Sequence, residues 1–148
     1  MKKSRLALLI LLLCVNIGAM AQDAQQQIQT IRKNAYTRVL SLTDEEAAKF
    51  WPVFDEMQAK LNEINKQAKI ERLNIADNYS KLTDKQMERA LDNLIALEQQ
   101  RLDIKKEYYA KFKKLIPIKK VALIPKADRE FRKELLKIYK KLKDADDE

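Results

Sequence analysis

Two copies of one helix-start pattern constrain the fold of this chain more than any other feature. The first copy is Leu42-Thr43-Asp44-Glu45-Glu46 and the second is Leu82-Thr83-Asp84-Lys85-Gln86. In each copy the threonine hydroxyl can accept a hydrogen bond from the amide three residues later, and the side chain of that later residue, Glu46 or Gln86, can reach back to the threonine amide. This arrangement, a capping box, predicts that one helix begins at Thr43 and another at Thr83.

A long apolar stripe follows each capping box. Its members recur at spacings of three and four residues, which places them on one face of a helix. The first stripe contains Phe50, Phe54, Met57, Leu61, Ile64, Ala68, Ile75 and Tyr79. The second contains Met87, Leu91, Leu94, Leu97, Ile104, Tyr108, Phe112 and Leu115. Two rods of about 50 Å, joined by a short turn at 80–83, form an antiparallel hairpin. Pro52 predicts a kink or a local loosening of the first rod.

Shorter helical patterns flank the hairpin. One covers about 24–40, with Ile28, Ile31, Ala35 and Val39 on one face, and one follows Pro117 and Pro125, with Phe131, Leu135, Ile138 and Leu142 on one face. Whether the two prolines bend one helix or separate two is open. Because the chain has one Gly and three Pro, it has few residues for hairpin turns between strands. We therefore predict an all-α fold with a single domain over 22–148.

A hairpin of two helices has no interior, because each rod covers only one side of the other. Its apolar surface must be completed by other helices or by another chain. We predict a homodimer as the economical solution.

The first 21 residues resemble a secretory signal peptide. Lys2, Lys3 and Arg5 precede an apolar run at 6–15, and Ala19-Met20-Ala21 is a small-x-small cleavage site. An uncleaved anchor is disfavoured because ten apolar residues are about half of a membrane span. Removal of this segment takes away Cys14, the only cysteine of the chain, so the mature product forms no disulfide, which suits an oxidising bacterial periplasm.

Composition excludes many functions. The chain has no His, so it lacks the usual acid and base near pH 7 and the imidazole ligands of transition-metal sites. We expect no enzyme activity, no cofactor and no metal site. In the periplasm nucleic acid is not an expected partner, and we expect at most peripheral contact with a membrane.

Basic residues are concentrated in one part of the chain. The segment 101–143 holds 16 of the 30 basic residues and 5 of the 22 acidic residues, and 144–148 is an acidic tail. Such a segment attracts acidic partners in a salt-dependent way; a solvated lysine-rich face without a partner is the alternative. The candidate binding residues are Lys105, Lys106, Lys113, Lys114, Lys119, Lys120, Arg129, Arg132 and Lys133.

Four apolar residues lie away from the centres of the two stripes. Ile70 and Leu73 lie opposite the first stripe, and Ile95 and Leu102 lie at the edge of the second. Two interpretations are open: these side chains pack against the first or last helix, or they form an exposed apolar contact surface.

The two capping boxes resemble a known signature. Leu82, Thr83 and Gln86 match the LTxxQ motif of the CpxP/Spy family of small periplasmic stress proteins, and Leu42 and Thr43 resemble it with Glu46 in place of Gln. The resemblance covers about 42–140. It implies a cradle-shaped helical dimer that holds unfolding proteins without ATP, and the motif residues would fix the hairpin ends. The His and Cys metal ligands of some relatives are absent.

Two functions are compatible with these features. The first is a periplasmic holdase chaperone that binds unfolded or exported proteins through its basic and apolar surface. The second is a regulatory adaptor that docks on the acidic outer domain of a membrane sensor, either a kinase or a sigma-factor regulator.

Overall fold

The computed structural model describes residues 25–146, and every regular element in that range is an α-helix. The elements are α1 (25–40), α2 (Asp44–Asn78), α3 (Asp84–Leu115), α4 (Ile118–Val121) and α5 (Ile124–Asp146). The prediction of an all-α fold is confirmed. The predicted signal peptide and the last two residues of the acidic tail lie outside the described residues.

Helices α2 and α3 form the predicted antiparallel hairpin. The ring of Phe50 lies 4.9 Å from that of Phe112, and farther along α2 the Arg72 guanidinium lies 3.5 Å from the Glu98 carboxylate. The contacts thus follow the two helices in opposite directions. The amides of Lys81 and Leu82 donate to the Asn78 carbonyl and close the turn between the helices.

Aromatic side chains fill the end of the hairpin away from this turn. Phe50, Phe54 and Phe112 are buried, and the ring of Phe54 lies 5.3 Å from Phe50 and 6.4 Å from Phe112. Toward the turn the buried positions are occupied by small side chains, Ala68 and Ala90. The core is therefore thick at one end of the hairpin and thin at the other.

One residue of the second apolar stripe was assigned wrongly. Leu91 was predicted to lie in the stripe, but its side chain is 52% exposed and Ala90 occupies the buried position. Ala90 lies four residues before Leu94 and continues the three-and-four spacing back to Met87. Leu91 lies on the flank of α3 because a single-residue shift rotates a side chain by about 100°.

The three prolines have different positions. Helix α2 continues through Pro52, and the predicted kink there stays a prediction. Ile116 ends α3 in an extended conformation, and Pro117 immediately precedes α4. Pro125 is the second residue of α5, where its missing amide hydrogen is not needed for a helical hydrogen bond. Pro117 and Pro125 thus mark the starts of separate helices.

The helices fall into two compact units. The first contains the hairpin and α4 and covers Leu42–Val121; the second contains α1 and α5. In the second unit Tyr36, Leu40, Ile124, Ala127 and Phe131 are buried. The single domain predicted over 22–148 stays a prediction.

Polar contacts also hold α1 to α5. The Tyr36 hydroxyl donates to the Asp128 carboxylate, and Arg38 lies 2.6 Å from Glu134. The Arg32 guanidinium lies 4.6 Å from the centre of the Phe131 ring. Nearer the end of α5, Ile138 is exposed, as are Leu136 and Tyr139.

Candidate functional site

An exposed apolar stripe lies on the flank of α3. Its members are Leu91, Ile95, Leu102 and Tyr109, which fall within about 40° of one another at about 100° per residue. They lie about a quarter of a turn from the buried side chains of Tyr108 and Phe112. Ile95 is 68% exposed and Leu102 is 47% exposed, and Tyr109 is half-buried. We call these four residues the outer stripe; it is about 27 Å long.

The four off-stripe residues are exposed. Ile95 and Leu102 belong to the outer stripe, and Ile70 and Leu73 lie on α2. A role for these side chains in binding a partner stays a prediction.

Lysines surround one end of the outer stripe. Leu102, Lys105, Lys106, Tyr109 and Lys113 line an open depression of about 450 Å³ on α3. Among the described residues Lys105 and Lys113 form no ion pair, while the Lys106 ammonium lies 3.8 Å from Asp103. We call these five residues the basic depression. It combines positive charge, one aliphatic side chain and one aromatic ring.

The other basic candidates are not part of this depression. Lys114 and Lys119 are exposed in the hairpin unit. Arg129, Arg132 and Lys133 belong to α5 in the second unit, where Arg132 donates to the Asp128 carbonyl and Lys133 pairs with Glu130 at 2.9 Å.

Lys120 has a structural contact. Its ammonium donates to the Glu46 carboxylate at 2.6 Å, and both side chains are partly buried. The contact joins α4 to the start of α2.

Both capping boxes form as predicted. The Thr43 amide donates to Glu46 at 2.9 Å, and the Glu46 amide donates to the Thr43 hydroxyl at 3.2 Å. The Thr83 amide donates to Gln86 at 2.9 Å, with the return bond at 3.4 Å. The leucines that precede them, Leu42 and Leu82, are half-buried. The threonines, Glu46 and Gln86 fix the helix starts.

Glu46 has two roles, because it caps α2 and also pairs with Lys120. The hydrogen bond from Lys120 and, after it, the bond from the Thr43 amide lower the pKa of Glu46 from its ordinary value of 4.5. The departure of this box from the LTxxQ pattern therefore places a carboxylate where it pairs with a lysine.

Sequence reasoning missed two residues of the outer stripe. Tyr109 was not singled out, and Leu91 was assigned to the core. The sequence contains a signal for this stripe. Ile95, Leu102 and Tyr109 are each seven residues apart, and this spacing places them together on a second face of the helix.

None of the helices within 25–146 is both long and apolar enough to cross a bilayer. In the same range no group of three or more acidic, His or Cys side chains is placed to hold a metal ion.

Comparison with known proteins found no relative. No family model, no curated protein and no solved structure matches the chain.

Proposed function

We propose that this protein is an ATP-independent holdase chaperone that binds partly unfolded proteins through α3. The observation that carries the proposal is the basic depression, where three lysines lie beside the exposed Leu102 and the half-buried Tyr109. Unfolding proteins expose apolar side chains next to charged ones, and this surface is complementary to segments that carry acidic residues.

Binding proceeds in two stages. The lysines attract acidic segments of a client at long range and raise the encounter rate. Ile95 and Leu102 then make weak apolar contacts, and the exposed Ile70 and Leu73 of α2 offer separate ones. The weakness of each contact lets a client rearrange while it is shielded from aggregation. No covalent step is required.

The setting of this activity is part of the proposal. The signal-like segment at 1–21 and the absence of cysteine from 22–148 support export to the periplasm. The resemblance of both capping boxes to the LTxxQ motif supports membership of the CpxP/Spy family. The limited interior of a hairpin of two helices supports assembly as a homodimer.

The test is suppression of aggregation. A reduced, denatured client is diluted into buffer of low salt with an equal amount of the protein, and light scattering is followed. We expect scattering to fall severalfold and the protection to weaken as salt is raised. Unchanged scattering at low salt would refute the proposal.

A charge-matched pair of variants locates the activity. Replacing Lys105, Lys106 and Lys113 together with Glu should abolish most of the protection. The control replaces Lys66, Lys81 and Lys85, three exposed lysines of the same unit, with Glu. Equal loss in both variants would show that only net charge matters and would exclude the basic depression as the site.

The breadth of binding separates the chaperone from the regulatory adaptor. A chaperone protects several unrelated clients. Capture of one envelope protein with a defined footprint, together with no protection of clients, would contradict the proposal in favour of the adaptor.

A further inference from the structure

The repeat of the outer stripe selects the conformation of a bound segment. Ile95, Leu102 and Tyr109 are seven residues apart, which is about 10.5 Å per step along α3. A second helix packed alongside presents apolar side chains at the same repeat, so each can meet one of these three. An extended chain presents residues of one side about 6.8 Å apart. Those side chains fall at about 6.8, 13.6 and 20.4 Å from the first contact, so they can meet Ile95 and Tyr109 but miss Leu102 between them.

Charge selects the composition of the segment. The three lysines of the basic depression lie at the C-terminal half of the stripe. The acidic residue inside the stripe, Glu98, is already neutralised, because its carboxylate lies 2.7 Å from Arg101 and 3.5 Å from Arg72. Exposed Glu88 and Asp92 flank the other half of the stripe. A complementary helix therefore has its carboxylates at one end.

We propose that the outer stripe binds short amphipathic helices of client proteins. The apolar residues of the helix, repeated every seven positions, lie over Ile95, Leu102 and Tyr109, and its carboxylates lie over the lysines of the basic depression. This inference rests on the proposed function and narrows it, since it makes helical segments, rather than extended ones, the preferred ligand.

The test compares two labelled peptides by fluorescence anisotropy with the full protein. One has about three heptads with Leu at the first and fourth positions and Glu clustered in the last heptad. The other has the same charges and leucines, but two of its remaining positions are Pro, which breaks the helix. We expect the helical peptide to bind at least about tenfold more tightly, a difference of about 1.4 kcal/mol.

Variants of the protein give the matched control. Replacing Leu102 and Tyr109 together with Ala should weaken binding of the helical peptide about tenfold. Replacing Leu136 and Tyr139 with Ala, an exposed leucine and tyrosine of α5, should change the affinity less than about twofold, because these residues do not belong to the outer stripe.

Three results would overturn the inference. Equal affinity for the two peptides would show that helical conformation is not recognised, and the chaperone proposal would stand on its aggregation assay. Failure of both peptides to bind would exclude acidic amphipathic helices as ligands of the outer stripe. Failure to bind, combined with a sedimentation shift from dimer to monomer in the Leu102 and Tyr109 variant, would assign the stripe to a second copy of the chain.

Discussion

Replacement of Phe112 tests whether aromatic packing stabilises the hairpin. Its side chain is 0% exposed, and its ring centre lies 4.9 Å from Phe50, 6.0 Å from Tyr109 and 6.4 Å from Phe54. Replacement by Ala removes the ring and leaves a cavity between these neighbours. Such changes cost about 3–5 kcal/mol. We expect a loss of about 4 kcal/mol, because three aromatic neighbours lose their contacts with the ring.

This loss is large relative to the stability of the unit. The hairpin unit, Leu42–Val121, has about 80 residues, for which a typical free energy of unfolding is about 4–12 kcal/mol. A variant that loses about 4 kcal/mol keeps at most about two thirds of this free energy of unfolding and is unfolded if the unit lies at the lower limit. Phe112→Leu keeps most of the volume and should cost about 1.5 kcal/mol, so it remains folded enough to measure.

Urea unfolding measures the effect through the single tryptophan. The Trp51 ring lies 5.2 Å from Phe50 and 5.5 Å from Phe54, so its fluorescence reports on this cluster. With a slope of about 1.5 kcal/mol per M, Phe112→Leu should lower the midpoint by about 1 M and Phe112→Ala by more than about 2 M. Leu91→Ala, at an exposed position of the same helix, should lower it by less than about 0.4 M. A shift below about 0.7 M for Phe112→Ala would refute the assignment of this core.

Three further changes test individual contacts. Thr83→Ala removes the hydroxyl that accepts from Gln86 and should destabilise the hairpin unit by about 1 kcal/mol in the same urea assay. Glu46→Gln keeps the cap but removes the charge beside Lys120. The lowered pKa of Glu46 contributes stability that is present above about pH 4.5 and is lost as the pH falls through the folded-state pKa. The wild type should therefore have a larger free energy of unfolding than the variant at pH 7, and this difference should shrink at about pH 3. Tyr36→Phe removes the bond to Asp128 and should speed hydrogen exchange in α1 at least about tenfold, since a hydrogen bond to a charged group is worth about 1.5–3 kcal/mol.

The parts of the fold that could be predicted from the sequence are those set by residues close to one another along the chain. A capping box lies within four residues, and an apolar stripe is set by a helical repeat, so the start of α2 after Thr43 and of α3 after Thr83 could be placed to the residue. The separate helices after Pro117 and Pro125 could not be chosen in advance, because a proline is compatible with the first turn of a new helix and with a bend in an existing one.

The candidate site was predicted in part for a different reason. Charge counts identified the basic segment, and Leu102, Lys105, Lys106 and Lys113 lie together because they are on successive turns of one helix. The assignment of Leu91 failed because it and Ala90 compete for one buried position, and size favours the leucine while the register favours the alanine. Local spacing fixes which residues share a face, but only packing against the neighbouring helix fixes which face is buried.

Lys120 and Glu46 are 74 positions apart in the sequence. Their contact could not be predicted from any local sequence pattern. Yet the two capping boxes differ at that one site, with Glu46 in the first and Gln86 in the second. Gln86 lies at the turn of the hairpin and, in the part of the chain that the structure describes, bonds only to Thr83. Glu46 lies where α4 returns to the start of α2 and receives a lysine there. An amide is sufficient where the box caps a helix alone, whereas a carboxylate serves both the cap and the ion pair. In these two boxes the third residue after the threonine therefore differs with its surroundings: it is Glu46 where Lys120 forms an ion pair with the cap, and Gln86 where, among the described residues, the side chain only caps its own helix.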